Sequence, residues 1–247
     1  CLYPSMRFLF IDLMDVMYDM DTPKTKPLRG TQSAVCYVAQ TLHAKGHRVF
    51  LCTQGIDRMH TLRGVVHFPL GMLNSPLANT LHPDIVVGVN STEVASQTVR
   101  VIGCGHPVCW VHCNPEDAMA TNNIFPTDHV SMWFVSEWQR DDFTAKGYKW
   151  LESQKITIIH NGICPLFETS GSPPPISQRP HRILYASSSD RGQNVAEWIV
   201  QKIGHGGVEF VTCAPTNPSK NDSKGSGLPH AEYMGVLDSC RVLVLPG

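Results

Sequence analysis

The sequence predicts an α/β protein built from two successive doubly wound units, and three observations carry that expectation. Short apolar segments alternate with amphipathic ones along the chain, the apolar segments are rich in Val, Ile and Phe, and a Ser/Gly/Pro-rich stretch interrupts the alternation before it restarts. A chain of 247 residues with 42% hydrophobic content is long and apolar enough to bury the cores of one or two domains.

In chain order, strands are expected over Arg7–Leu13, Arg48–Thr53, Val65–Pro69, Asp84–Val89, Pro107–His112, Ser131–Ser136 and Lys155–Ile159. Their spacing implies a mainly parallel sheet with helical crossovers. The first crossover is a helix over Thr31–Lys45, where Val35, Val38, Ala39 and Leu42 fall at i, i+3, i+4 and i+7, a basic last turn follows and Gly46 supplies the C-cap. Next comes "TSGSPPPISQRP", residues 169–180, whose composition cannot pack a core and reads as an interdomain linker. The period then restarts with strand Arg182–Ala186, helix Gln193–Ile203, strand Val208–Cys213, a helix near Ala231–Ser239 and strand Arg241–Leu245. The expected organisation is a first domain over residues 1–168, a linker over 169–180 and a partial second domain over 181–247. The closing "CRVLVLPG" is a strand running into a turn, which suggests that more of the second domain follows.

Composition narrows the partners. A formal net charge of −1, from 20 Lys+Arg against 21 Asp+Glu, supplies no field for a nucleic-acid backbone. Nine irregularly spaced cysteines, with no signal peptide ahead of them, fit buried thiols in a reducing compartment. No apolar run approaches the roughly 20 residues that span a bilayer. The expected location is cytoplasmic, with peripheral membrane association left open.

The segment "ILYASSSDRGQNVAEWIV" places a turn between a strand and a helix of the second unit, where helix N-terminal amides point outward and anions bind. Ser187, Ser188 and Ser189 offer small donors and close backbone approach, Arg191 a forked cation suited to phosphate oxygens, and Gly192 an unhindered entry to the helix. The bland alternative is an ordinary N-cap by Ser189 or Asp190 with Arg191 solvated. Cys104, His106, Cys109, His112 and Cys113 cluster in sequence, but they lack a C-x-x-C pair, and alternation along a strand would send neighbouring ligands to opposite faces, so no metal site is expected. "VIGCGHPV" lacks the third glycine and the following helix of a dinucleotide fingerprint. Trp133, Phe134 and Trp138 read as core or helix-packing aromatics, and "SEWQRDDF" as a solvated helix face.

Four stretches, in order, carry a family resemblance: "RGTQSAVCYVAQTLHAKGHRVFLCT", "FVSEWQRDDFTAKG", "KITIIHNGI" and "ILYASSSDRGQNVAEWIV"; "YMGVLDSCRVLVLPG" adds to them. The chain resembles glycosyltransferase family 4, the group 1 glycosyltransferases, whose GT-B fold pairs two Rossmann-like domains. The resemblance implies transfer of a sugar from a nucleotide-sugar donor to a glycan, lipid or other acceptor, with retention and with neither metal nor cofactor. It implies that Arg191, with Ser188, Ser189 and Gly192, meets the donor diphosphate, and that Gly30 stands in a glycine-rich turn near the donor. Here the family's Gly-Gly is Arg29-Gly30, with Thr31 left to cap the helix. It implies too that His112 lies near the transferred sugar, where a neutral imidazole would bond a hydroxyl; a strand-end histidine satisfied by backbone is the alternative. Asn161 and Gly162 fall where the chain leaves the first domain, as a turn that borders the donor or serves the crossover alone. The acidic donor-sugar motif of the family is not in these residues. Hence residues 1–247 alone are expected to be inactive, and a sugar-nucleotide-binding or scaffold protein without turnover is the competing expectation.

Overall fold

The computed structural model describes residues 4–162, 174–186, 193–203, 207–213, 228 and 230–244. It divides into two compact units: Cys1–Met20 with Ala34–Gly162, and Asp21–Ser33 with Ile163–Gly247. The segment Asp21–Ser33 thus clusters with the second unit, where its short helix α1 (Thr22–Thr25) contacts the helix His230–Asp238.

The first unit is a Rossmann-like α/β layer built on an eight-stranded sheet. Its strands are β1 (Arg7–Asp12), β2 (Arg48–Thr53), β3 (His60–Leu62), β4 (Val65–His67), β5 (Ile85–Val89), β6 (His106–Val111), β7 (Ser131–Phe134) and β8 (Ile156–Ile158). They lie in the order β3-β4-β2-β1-β5-β6-β7-β8, every pair parallel except β3 with β4. The near-continuous burial of β1, β2, β5 and β6 explains their unbroken apolar sequences, since a parallel sheet is covered on both faces. The seven expected strands are all present, most of them ending one or two residues earlier than the apolar pattern suggested.

The exception, β3, has only three residues, exposed or half-exposed, and gives no apolar signal. It exists because Arg63 and Gly64 both take positive φ, 49° and 78°, which closes a tight hairpin and pairs Leu62 with Val65 and His60 with His67.

Helix α2 (Gly30–Ala44) begins one residue earlier than expected, which puts Thr31 inside the first turn and not at the cap. Val35 and Ala39 are buried as the pattern requires, whereas Val38 and Leu42 are only half-buried and Cys36 takes the deeper position. Gly46 ends the helix with φ 89°. The remaining crossovers are α3 (Pro76–Asn79), α4 (Thr92–Ile102), α5 (Pro115–Thr121) and α6 (Glu137–Ala145). The last three each start shortly after a strand and are capped by a polar side chain: Ser91 accepts from Val94 N, Asn114 from Asp117 N and Ser136 from Gln139 N.

One face of the sheet packs Leu9, Ile11, Phe50, Cys52 and Val86 against Ala78, Leu81 and Ile102, and Cys109, Val111, Met132 and Phe134 against Ala118, Phe143 and Leu151. Alternation places Phe10, Leu51, Val87, Val108 and Trp110 on the other face, where Phe10 and Trp110 meet at 6.3 Å. Trp138 departs from its expected packing role: it is 75% exposed on the outer side of α6, because Gln139 and Phe143 are the residues that α6 turns inward.

The second unit carries a three-stranded parallel sheet in the order β10-β9-β11, from β9 (Arg182–Tyr185), β10 (Glu209–Thr212) and β11 (Val242–Val244). Helices Gln193–Ile203 and His230–Asp238 follow its first two strands. Leu184, Cys213 and Cys240 are buried together, packed with Val211, Leu228, Tyr233 and Leu237. Residues 174–180, the described part of the expected linker, are tied to this sheet by arginine. Arg179 donates to the carbonyls of Pro174 and Cys240, and Arg241 to those of Arg179 and Ser177.

Helix α4 comes close to the sheet at Gly88 in β5. A Cβ there would collide with the Ser91 carbonyl oxygen and sit 3.0 Å from Ala95 N, in the first turn of α4. Gly88→Ala is therefore expected to destabilise the protein by about 1–3 kcal/mol. Urea unfolding should show a lower midpoint at unchanged slope, and an unchanged midpoint would show that α4 is not seated on β5 as described.

Candidate functional site

The carboxyl ends of parallel strands lie along one edge, and in an open α/β sheet the crevice forms where strand order reverses. In the first unit the chain moves outward from β1 to β2 and β4, then returns to β5 on the other side of β1. The reversal therefore lies between the ends of β1 and β5.

Asp12 ends β1 and is fully buried. Its Oδ1 accepts from Met14 N at 3.0 Å and its Oδ2 from the Tyr18 hydroxyl at 2.9 Å. Tyr18 is itself buried, and desolvation, then the Asp12 charge, pushes its hydroxyl well above the usual tyrosine range. Thr53, at the end of β2, donates to the Tyr18 carbonyl; Cys36 and Gln40 of α2 donate to the carbonyls of Asp19 and Met20. The loop after β1 is thereby folded back over the strand ends, leaving Leu13, Met14 and Met17 exposed on its outer side. A shallow cleft of about 230 Å³ beside it is lined by Ile11, Leu13, Leu70, Leu73 and Val94. Ile11 belongs to the sheet face opposite Phe10 and Trp110, so this cleft is separate from the row that Asp12 heads.

His67 ends β4 and is fully buried, its ring stacked on that of His60 at 4.8 Å. Neither ring nitrogen has a hydrogen-bond partner among the described residues. Burial first, then the neighbouring His60, lowers its pKa to about 4, with Asp19 acting in the opposite sense.

Asn90 follows β5 in the left-handed region, with φ 55°. Its Oδ1 accepts from two backbone amides beyond the end of β6, His112 N at 2.6 Å and Cys113 N at 3.1 Å, while its own N donates to the Trp110 carbonyl at 2.9 Å. Gln139, also buried, continues the lacing: Nε2 donates to the Cys113 carbonyl at 2.9 Å and Oε1 accepts from Val135 N at 3.0 Å. His160 Nδ1 donates to the Val135 carbonyl at 3.1 Å. A run of side-chain-to-backbone bonds thus joins the carboxyl ends of β5, β6, β7 and β8.

His112 stands on that run. Its ring meets Trp110 edge-on at 4.4 Å, and Nε2 is buried without a partner among the described residues. Burial lowers the pKa to about 4, so the imidazole is neutral across the physiological range. The His112 backbone N–H is taken by the Asn90 side chain, and its ring is neutral. Asn161 and Gly162 follow β8 as exposed coil. Gly30 opens α2 with open space around the position a Cβ would take, so nothing in its surroundings demands a glycine. Ser188, Ser189, Arg191 and Gly192 lie outside the described residues, between the end of β9 and the helix Gln193–Ile203.

The cysteine–histidine cluster is dispersed by the strand. His106 bonds Ser131 at 2.7 Å, and Cys109 is buried in the core, where desolvation pushes its thiol up. Among the described residues no three His, Cys, Asp or Glu side chains come together as a metal site, and no helix is long and apolar enough to cross a membrane. No protein-family model matches the chain, and no curated protein matches it at a significant level.

Sequence reading missed Asp12, Tyr18, His67, Asn90 and Gln139. For Asp12 and Asn90 a signal existed, a lone polar residue closing an apolar strand in "FLFID" and "DIVVGVN". For Gln139 and Tyr18 none did: the Cys113 carbonyl that Gln139 meets is twenty-six residues away, and Tyr18 reaches Asp12 only because the loop after β1 folds back.

The desolvated rings of His67 and His112 lower the stability in acid. Above about pH 6.5 both rings are neutral folded or unfolded; between about 6.5 and 4 the unfolded chain takes up protons that the folded chain cannot, so stability falls as pH falls. His67→Leu should remove a loss of about 2–3 kcal/mol from that window while costing little at pH 8. Unfolding free energies at pH 8 and pH 4.5 measure it, and equal acid losses in both proteins would contradict the burial of His67.

Proposed function

We propose that this chain is a glycosyltransferase that moves a sugar from a nucleotide-sugar donor to an acceptor, with retention and without a metal ion. The observation that supports it most is a neutral imidazole, His112, held at the carboxyl end of β6 in a Rossmann-like sheet, the position at which the resemblance to glycosyltransferase family 4 implies contact with the transferred sugar. In this reading the bond from the anomeric carbon to the phosphate oxygen breaks, a bond to the acceptor oxygen forms on the same face, and the acceptor proton leaves with the diphosphate. His112 hydrogen-bonds a sugar hydroxyl without adding charge. Arg191, between β9 and the helix Gln193–Ile203 in sequence, neutralises charge that develops on the leaving diphosphate, with Ser188 and Ser189 as further donors; fixed charge of this kind is the help such a step needs most. The reading includes a cytoplasmic location, with the chain dissolved or peripheral to a membrane.

A second reading, carried by the same resemblance, is a sugar-nucleotide-binding or scaffold protein without turnover.

Calorimetry of the whole protein with a panel of nucleoside diphosphates, alongside transfer assays with labelled sugar nucleotides, separates the two. Arg191→Ala is expected to weaken nucleoside-diphosphate binding by about 1.5–3 kcal/mol. Binding with no release of nucleoside diphosphate would favour the binding protein, and affinity unchanged by Arg191→Ala would remove the phosphate site from either reading.

A further inference from the structure

The most specific unexplained geometry in the first unit is the use of two buried or strained carboxamides on one turn. Beyond the end of β6, the amides of His112 and Cys113 have no strand to pair with, because β5 has already turned away to begin α4 at Thr92. The Asn90 side chain takes the place of that missing strand and accepts from both. It can do so because the chain at residue 90 is left-handed, a conformation open to glycine and, among residues with a side-chain acceptor, chiefly to Asn and Asp. Gly would lack the oxygen, and Asp would add a charge beside a buried ring. From the other side Gln139 donates to the Cys113 carbonyl while its own oxygen is spent on Val135 N, so its orientation is fixed by both ends. The turn is gripped at three backbone atoms, His112 N, Cys113 N and the Cys113 carbonyl, by side chains from two different crossovers.

We propose that Asn90 and Gln139 are positioning residues for His112: by gripping the turn from both sides, their carboxamides fix its imidazole against Trp110 at the carboxyl end of β6. The inference rests on the reading that His112 faces the transferred sugar, and it assigns the precision of that contact to two residues that touch neither sugar nor diphosphate. The nearest titratable group to His112 in sequence is the Cys113 thiol, which burial pushes up and keeps uncharged.

The test uses the whole protein with isotope-labelled histidine. Asn90→Gly keeps the backbone conformation and deletes the acceptor. The titration midpoint of His112, read by NMR, is expected to rise by about one pH unit or more towards the ordinary histidine value as the ring loosens and hydrates. In transfer assays kcat is expected to fall about tenfold or more, with the donor KM changed by no more than about threefold. Should Asn90→Gly not fold, Gln139→Leu cuts the same turn from the α6 side and reads the same midpoint. A folded variant with an unchanged midpoint overturns the proposal, and so does a shifted midpoint with kcat intact. If the unaltered protein transfers no sugar with any donor, the glycosyl-transfer reading fails on its own, and the midpoint alone still decides whether the carboxamides position the ring.

Discussion

A parallel sheet releases all its strands at one edge, and each must there stop pairing and begin a helix within a few residues. The amides and carbonyls freed at that edge are partly shielded from water and cannot be left unbonded at small cost. The first unit meets this requirement with side chains. Ser91, Asn114 and Ser136 cap the helices that follow β5, β6 and β7, while Asp12, Asn90 and Gln139 take the amides that the caps do not reach. The candidate site is a consequence of that arrangement. Its polar residues converge because the sheet has one carboxyl edge, and they are rigid because most of their hydrogen-bonding capacity is spent on backbone.

The same burial decides their electrostatics. His67 and His112 lie where a charged ring is disfavoured, and both are neutral well below physiological pH. Cys36, Cys109 and Cys113 are pushed the other way, towards the protonated thiol, by the same desolvation. Asp12 differs from these groups in having the Tyr18 hydroxyl and a backbone amide aimed at its two oxygens. The edge thus holds mostly neutral polar groups in fixed positions; in the function proposed above, the anion-binding charge falls to Arg191.

The sheet was legible in the sequence because burial on both faces demands unbroken apolar runs, and such runs mark β1, β2, β5 and β6 without reference to anything distant. Strand β3 was not, because its pairing comes from positive φ at Arg63 and Gly64 and not from apolar residues. His112 was singled out by its place at a strand end, but the bond that holds its backbone comes from Asn90, twenty-two residues away, and its ring lies against Trp110. Trp138 was misjudged because periodicity within so short a helix cannot say which side turns inward; the bonds that Gln139 makes to β7 and to the turn after β6 decide it.

The central claim is that side chains stand in for absent strands along the carboxyl edge. It is tested most directly by hydrogen exchange at the amides of Met14, His112, Cys113 and Val135, which all lie outside helices and ladders and are all bonded to a side-chain oxygen. The account expects these four amides to exchange slowly, within about tenfold of neighbouring amides in β6, because they open only when the strand ends come apart. Exchange at the rate of exposed loop amides would contradict it.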